Sequence, residues 1–241
     1  AIGEIGLDYH WDTTFKEQQH AALREQMRWA EEYQLPVMIH SRDATEDTLK
    51  KYPWPFVLEI AYRLHGNMID VIWEVSNPGN EDMYFQIGAH PAFNYPDYDP
   101  QTMERGFLSF DRGEGLECIR IKEKGCVDAE TLYPLDIPAD GLLPLTRETF
   151  DKIDTIMLQD GQIGSVALYR TDRTPWLKLS FEAPVVGIWS PPGKNAPFIC
   201  LEPWYGRCDR AGYEGDYRDR DWVNLLAPGE KFSSVYTIEI A

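Results

Sequence analysis

A mainly β protein, two packed antiparallel sheets preceded by a short strand-helix-strand segment, is the fold class the sequence predicts. Three observations carry it. Apolar residues recur at three- and four-residue steps only within about the first 45 positions. From Phe56 they alternate at a spacing of two. The alternating runs are short, and 17 prolines and 18 glycines fall largely between them, which is the punctuation of turns rather than of long helices.

The N-terminal elements follow in order. Ala1 to Asp8 is an apolar run with two glycines, consistent with a buried strand. Thr14 and Glu17 have the spacing of a capping box, so a helix is expected to start there. Phe15, Gln19, Ala22, Leu23, Met27, Ala30 and Tyr33 define one largely apolar helical face, with Arg24, Arg28, Glu31 and Glu32 opposite. Pro36 follows the helix, and Val37 to Ile39 is a second apolar run, so the order is that of a parallel βαβ crossover.

The antiparallel part opens at Phe56. Leu58, Ile60, Tyr62 and Leu64 alternate with Glu59 and Arg63, which predicts a half-buried strand. His65-Gly66-Asn67 then turns the chain into Ile69, Val71, Trp73 and Val75, making a hairpin. Further strands are expected at 107–110, 116–121, 163–170, 176–182, 185–189, 198–201 and 235–240. Residues 128–160, with Pro134, Pro138 and Pro144, read as a long connection wrapping the sandwich.

Composition narrows the function classes. The 241 residues are 43% hydrophobic and 26% charged, the make-up of a soluble globular protein, and no apolar run reaches membrane-span length. Forty acidic against 23 basic residues give a formal charge of −17, which repels nucleic acid and suits a neutral substrate. No basic leader precedes an apolar run, so the start reads as truncated and the location as cytoplasmic. Cys118, Cys126, Cys200 and Cys208 contain no C-x-x-C pair and read as reduced thiols.

Two resemblances give these elements a function. GEIGLDYH and PVMIHSRDA, with the helix between them, resemble the TatD family of metal-dependent deoxyribonucleases, which are TIM barrels. That resemblance implies metal-ligand roles for Glu4 and His40 at strand ends, where barrel enzymes keep their chemistry. The family's opening His-x-His pair and its later His and Asp have no counterparts, so residues 1–45 are a fragment with an incomplete site. On the residues alone, Glu4 is a strand-end charge and His40 a hydrogen-bonded histidine. His10, in a predicted loop, and His20, on the helix, carry no such resemblance.

YRLHGNMIDVIWEVSN, FQIGAHPAFN and APFICLEPWYGRCD resemble the aldose 1-epimerase (galactose mutarotase) superfamily, in particular its LacX-like branch. The implied fold for residues 46–241 is a β-supersandwich lacking its N-terminal portion. The implied activity is isomerisation of a hexose between its α and β anomers by ring opening. One group takes the proton of the anomeric hydroxyl while another protonates the ring oxygen. The resemblance assigns the acid to His90 and the base to Glu202. Read alone, Glu202 is rather a carboxylate exposed at a strand end, and His90 is equally a histidine bonded to a backbone carbonyl.

Phe93, Trp189, Trp204 and Tyr205 are candidates to face the sugar, although core packing accounts for such aromatics equally well. Arg207 and Asp209 either bond sugar hydroxyls or pair with each other. The join between the two resemblances falls near 44–50. The expected partner is a small sugar, with neither nucleic acid nor membrane. No cofactor is expected for the isomerase, and a divalent metal only if Glu4 and His40 bind one. A sugar-binding domain without catalysis, and a TatD-type nuclease, are the alternatives.

Overall fold

A computed structural model describes residues 2–9, 13–32, 37–42, 54–123 and 125–241. The chain divides into two compact units, Ala1–Pro55 and Phe56–Ala241. The join expected at 44–50 lies outside the described residues, as do His10, Tyr33 and Pro36.

In the first unit, strands β1 (Ile2–Asp8) and β2 (Val37–Arg42) pair in parallel, with helix α1 (Lys16–Glu32) between them in sequence. This is the expected βαβ order. Leu23 of α1 is buried against Leu7 of β1, with Tyr9 and Met27 packed around them. The apolar face is narrower than its periodicity suggests, because Phe15 precedes the helix and is 54% exposed. His20 Nε2 is 2.7 Å from the Tyr9 hydroxyl, which gives that histidine a structural partner. Arg28 bridges Glu25 and Glu32 on the outer surface.

The second unit contains two seven-stranded sheets. One runs β11 (Leu143–Thr146), β8 (Glu104–Phe110), β13 (Ser165–Tyr169), β14 (Pro175–Phe181), β18 (Lys231–Ile240), β4 (Met68–Ser76), β3 (Val57–His65). The other runs β10 (Cys126–Pro134), β9 (Glu117–Glu123), β12 (Thr155–Leu158), β15 (Val185–Trp189), β16 (Phe198–Tyr205), β6 (Ile87–Gly88), and β7 (Ala92–Asn94) also pairs with β16. A small ladder joins β5 (Met83–Phe85) to β17 (Asn224–Leu226). The main core contains Leu108, Val166 and Leu179 from the first sheet and Ile156, Ile188 and Leu201 from the second. Alternation at period two explains this, since every second residue of each strand faces the opposite sheet.

Two expectations are corrected. Residues 128–160 are not a plain connection: they hold most of β10, then β11, a short helix α2 (Thr149–Ile153) and the central strand β12. All four residues of β12 are buried, so it lacks the alternation that marks a strand in sequence. Pro134 ends β10 and Pro144 sits in β11; both strands are sheet edges, where a missing N–H is tolerated. The strand β3 is also less buried than expected: Ile60 is 50% and Leu64 76% exposed, whereas Val71, Trp73 and Val75 beside it on β4 are buried. As the outermost strand, β3 carries its apolar face past the covered part of the sheet.

Candidate active site

Glu202 and His90 are brought together by an interruption in strand pairing. In β16, Ile199 and Leu201 face the main core, so Cys200, Glu202 and Trp204 share the opposite face. The neighbouring chain pairs with β16 first through β6 and again through β7. Between those strands, Ala89 N–H donates to the Pro203 carbonyl at 3.0 Å and Leu201 N–H to the Pro91 carbonyl at 3.2 Å. These two bonds bracket His90 beside Glu202. Pro91 and Pro203 each lack an N–H, and both fall in this irregular stretch, where a full ladder is absent.

His90 Nδ1 lies 3.6 Å from Glu202 Oε1. The two environments differ sharply: the carboxylate side chain is 4% exposed and the imidazole 63%. Burial pushes the Glu202 carboxyl from 4.5 up to about 8, while the polar edge of the Trp204 indole works the other way. The Trp189 ring meets the His90 ring edge-on, with centroids 5.9 Å apart. Acid and base are direct neighbours. This suits the chemistry, because the anomeric hydroxyl and the ring oxygen are bonded to one carbon.

The floor beside the pair depends on two glycines. A Cβ on Gly187, directly across from Glu202, would lie 2.4 Å from the Trp204 ring, and one on Gly88 would lie equally close from the other neighbouring strand. The indole therefore lies flat over both backbones, and its N–H donates to the Ala89 carbonyl at 3.2 Å. It joins a small apolar cluster with Met157, Val185 and Trp222. Next to that cluster is an open cleft of about 360 Å³, lined by Gln159, Arg207, Arg210, Asp221 and Trp222 among others. Neither His90 nor Glu202 lines it.

Arg207 and Asp209 do not pair with each other. The buried Arg207 guanidinium bonds Asp221, Gln159 and the Cys208 carbonyl, while Asp209 accepts from Arg220. Two aromatic candidates lie elsewhere. Phe93, across from Ile199, and Tyr205, whose hydroxyl accepts from Ser234, both pack against the main core. Trp189 and Trp204 remain beside the pair. The residue not foreseen is Cys200: its sulfur and the ligand atoms of His90 and Glu202 all lie within 4.8 Å of one another. Two residues apart on one strand, Cys200 and Glu202 necessarily share a face, so the C-x-E spacing was the available signal. In the first unit, the register sets His40 opposite Gly6, two residues beyond Glu4. The side chains of Glu4 and His40 lie outside the described residues.

Comparison with known proteins fits this geometry. A galactose mutarotase related enzyme from Lactobacillus acidophilus superposes with a TM-score of 0.70 at 27% identity, over 81% of this chain and 65% of that one. The second unit has the galactose mutarotase-like fold. In sequence, this mutarotase-like chain is 28% identical to protein LacX of Lactococcus lactis subsp. lactis over 224 residues, 92% of this chain and 74% of that protein. The family model for TatD related DNase matches residues 1–54. Over 49 residues the chain is 55% identical to the uncharacterized metal-dependent hydrolase YabD of Bacillus subtilis, which is 19% of that protein's length. The mutarotase-like unit thus follows a TatD-like fragment. No helix among the described residues is long and apolar enough to cross a membrane.

Proposed function

We propose that the second unit is an aldose 1-epimerase-like isomerase that interconverts the α and β anomers of a hexose or a related sugar. The observation that carries this reading is the juxtaposition of a buried carboxyl and an exposed imidazole, 3.6 Å apart, on the sheet face opposite the core. Glu202 accepts the proton of the anomeric hydroxyl and His90 gives one to the ring oxygen. The ring opens to the aldehyde, the carbonyl carbon turns its other face, and closure reverses both transfers, so no proton is consumed overall. A base whose pKa has been moved near neutrality by burial is a stronger acceptor than an exposed carboxylate. The exposed imidazole of His90 is the side from which a sugar ring would approach, with the Trp189 ring edge-on beside it.

Glu202→Gln keeps the side chain's shape and removes the acceptor. Catalysed mutarotation followed by polarimetry is expected to fall by about 100-fold or more; an unchanged rate removes the assignment. A second reading, sugar binding without catalysis, draws support from the open cleft of about 360 Å³ that neither His90 nor Glu202 lines. Rate depends on the clamp around the substrate as well as on acid and base. Sugar binding by calorimetry with no acceleration of anomer exchange favours that reading. The TatD-like fragment carries Glu4 and Asp8 on β1 and His40 on β2. The resemblance implies metal-ligand roles for Glu4 and His40 alone, two of the three protein ligands that a hydrolytic metal centre needs, and no step is assigned to it.

A further inference from the structure

We propose that His90, Cys200 and Glu202 form a binding site for a zinc-like divalent ion, with one coordination position open toward solvent. The three ligand atoms come from three residues fixed in different ways. Cys200 and Glu202 project from the same face of β16, and His90 is held beside them by the backbone bonds of Ala89 and Leu201. Every pair among the three atoms lies within 4.8 Å, and the nitrogen and the carboxylate oxygen are 3.6 Å apart. In a tetrahedral site with metal-ligand bonds of 2.0 to 2.3 Å, neighbouring ligand atoms stand roughly 3.5 Å apart. The imidazole and carboxylate are at that spacing already, and the remaining pairs, none beyond 4.8 Å, close with side-chain shifts of about 1 Å.

The donor set selects the ion. One sulfur, one imidazole nitrogen and one carboxylate oxygen suit Zn²⁺ or Co²⁺, whereas Mg²⁺ and Ca²⁺ require six or more oxygens. The thiol and the carboxyl are both buried and the imidazole faces solvent, so the protein fills three positions from one side and leaves the fourth to water or to a ligand oxygen. Burial disfavours the anionic forms of Cys200 and Glu202, pushing them up to about 12 and about 8. A divalent charge between them reverses that preference, because it stabilises the thiolate and the carboxylate that bind it. An ion held there occupies the His90 nitrogen and a Glu202 oxygen, the groups that carry the protons in the sugar reaction, so ion and proton transfer exclude one another; this consequence alone rests on the isomerase reading.

The test uses the full chain, freed of metal with a chelator, and titrates it with Co²⁺ and then Zn²⁺. Wild-type protein is expected to develop the sulfur-to-cobalt charge-transfer band in the near ultraviolet, which Glu4 and His40 cannot give, and to lose it as Zn²⁺ displaces Co²⁺. Cys200→Ala is expected to abolish the band and weaken Zn²⁺ binding in calorimetry by about 100-fold, the top of the range for losing a mere supporting partner of a ligand. His90→Ala, at an exposed position, removes a ligand without opening the core and is expected to weaken binding similarly. Absence of the band in wild type, or its persistence in Cys200→Ala, overturns the site. The readout is the ion itself, so either result leaves the Glu202→Gln polarimetry to decide the isomerase separately.

Discussion

Replacing Glu202 by Gln has a consequence for stability that is readable without a substrate. The wild-type carboxyl is almost fully buried, and desolvation lifts it from 4.5 to about 8. Between those values the folded protein keeps the proton that the unfolded chain releases. The contribution is therefore fully present below pH 4.5 and is lost as pH rises through about 8. At about 1.4 kcal/mol per pH unit, the loss amounts to at most about 5 kcal/mol, a large share of a domain's total stability of roughly 5–15 kcal/mol. Gln has the same shape and does not titrate. Urea unfolding of both proteins at a series of pH values isolates the effect, because every other titrating group is common to both. The wild type is expected to lose several kcal/mol relative to the variant on going from acid to mildly alkaline pH. A difference that stays constant within about 1 kcal/mol refutes the burial argument.

Further expectations follow from the same geometry. Polarimetric anomer exchange should rise from about pH 6 to about pH 8 as Glu202 loses its proton, and a rate flat across that range argues for another base. Gly187→Ala should destabilise by about 1–3 kcal/mol in thermal unfolding and slow exchange, because its Cβ would meet the Trp204 ring; a neutral outcome places the indole elsewhere. Arg207→Ala should cost about 3 kcal/mol in urea unfolding by leaving Asp221 with Arg210 as its remaining cation partner. Leu64→Ser should change stability by under about 0.5 kcal/mol, against about 2–5 kcal/mol for Leu179→Ala in the core, in chemical unfolding of each. Comparable losses at both positions contradict the exposure of β3.

The change from helical to alternating spacing, the parallel strand pair around α1, the hairpin at His65-Gly66-Asn67 and most strands of the two sheets are legible in the residues alone, and so is one feature of the site. These are local properties, written in periodicity and in turn residues. Cys200, Glu202 and Trp204 share one face of β16, since side chains on a strand alternate. Strand β12 emerges only in the folded chain, because a strand buried on both faces has no alternation to read. The same holds for β3, whose exposure depends on where the opposing layer ends, and for Phe93, whose side follows from pairing with Ile199 far away in the chain. The approach of His90 to Glu202 arises from two backbone bonds between segments more than 100 residues apart. Such pairing depends on which backbone groups meet across the sheet, and the spacing of residues along the chain carries no record of it.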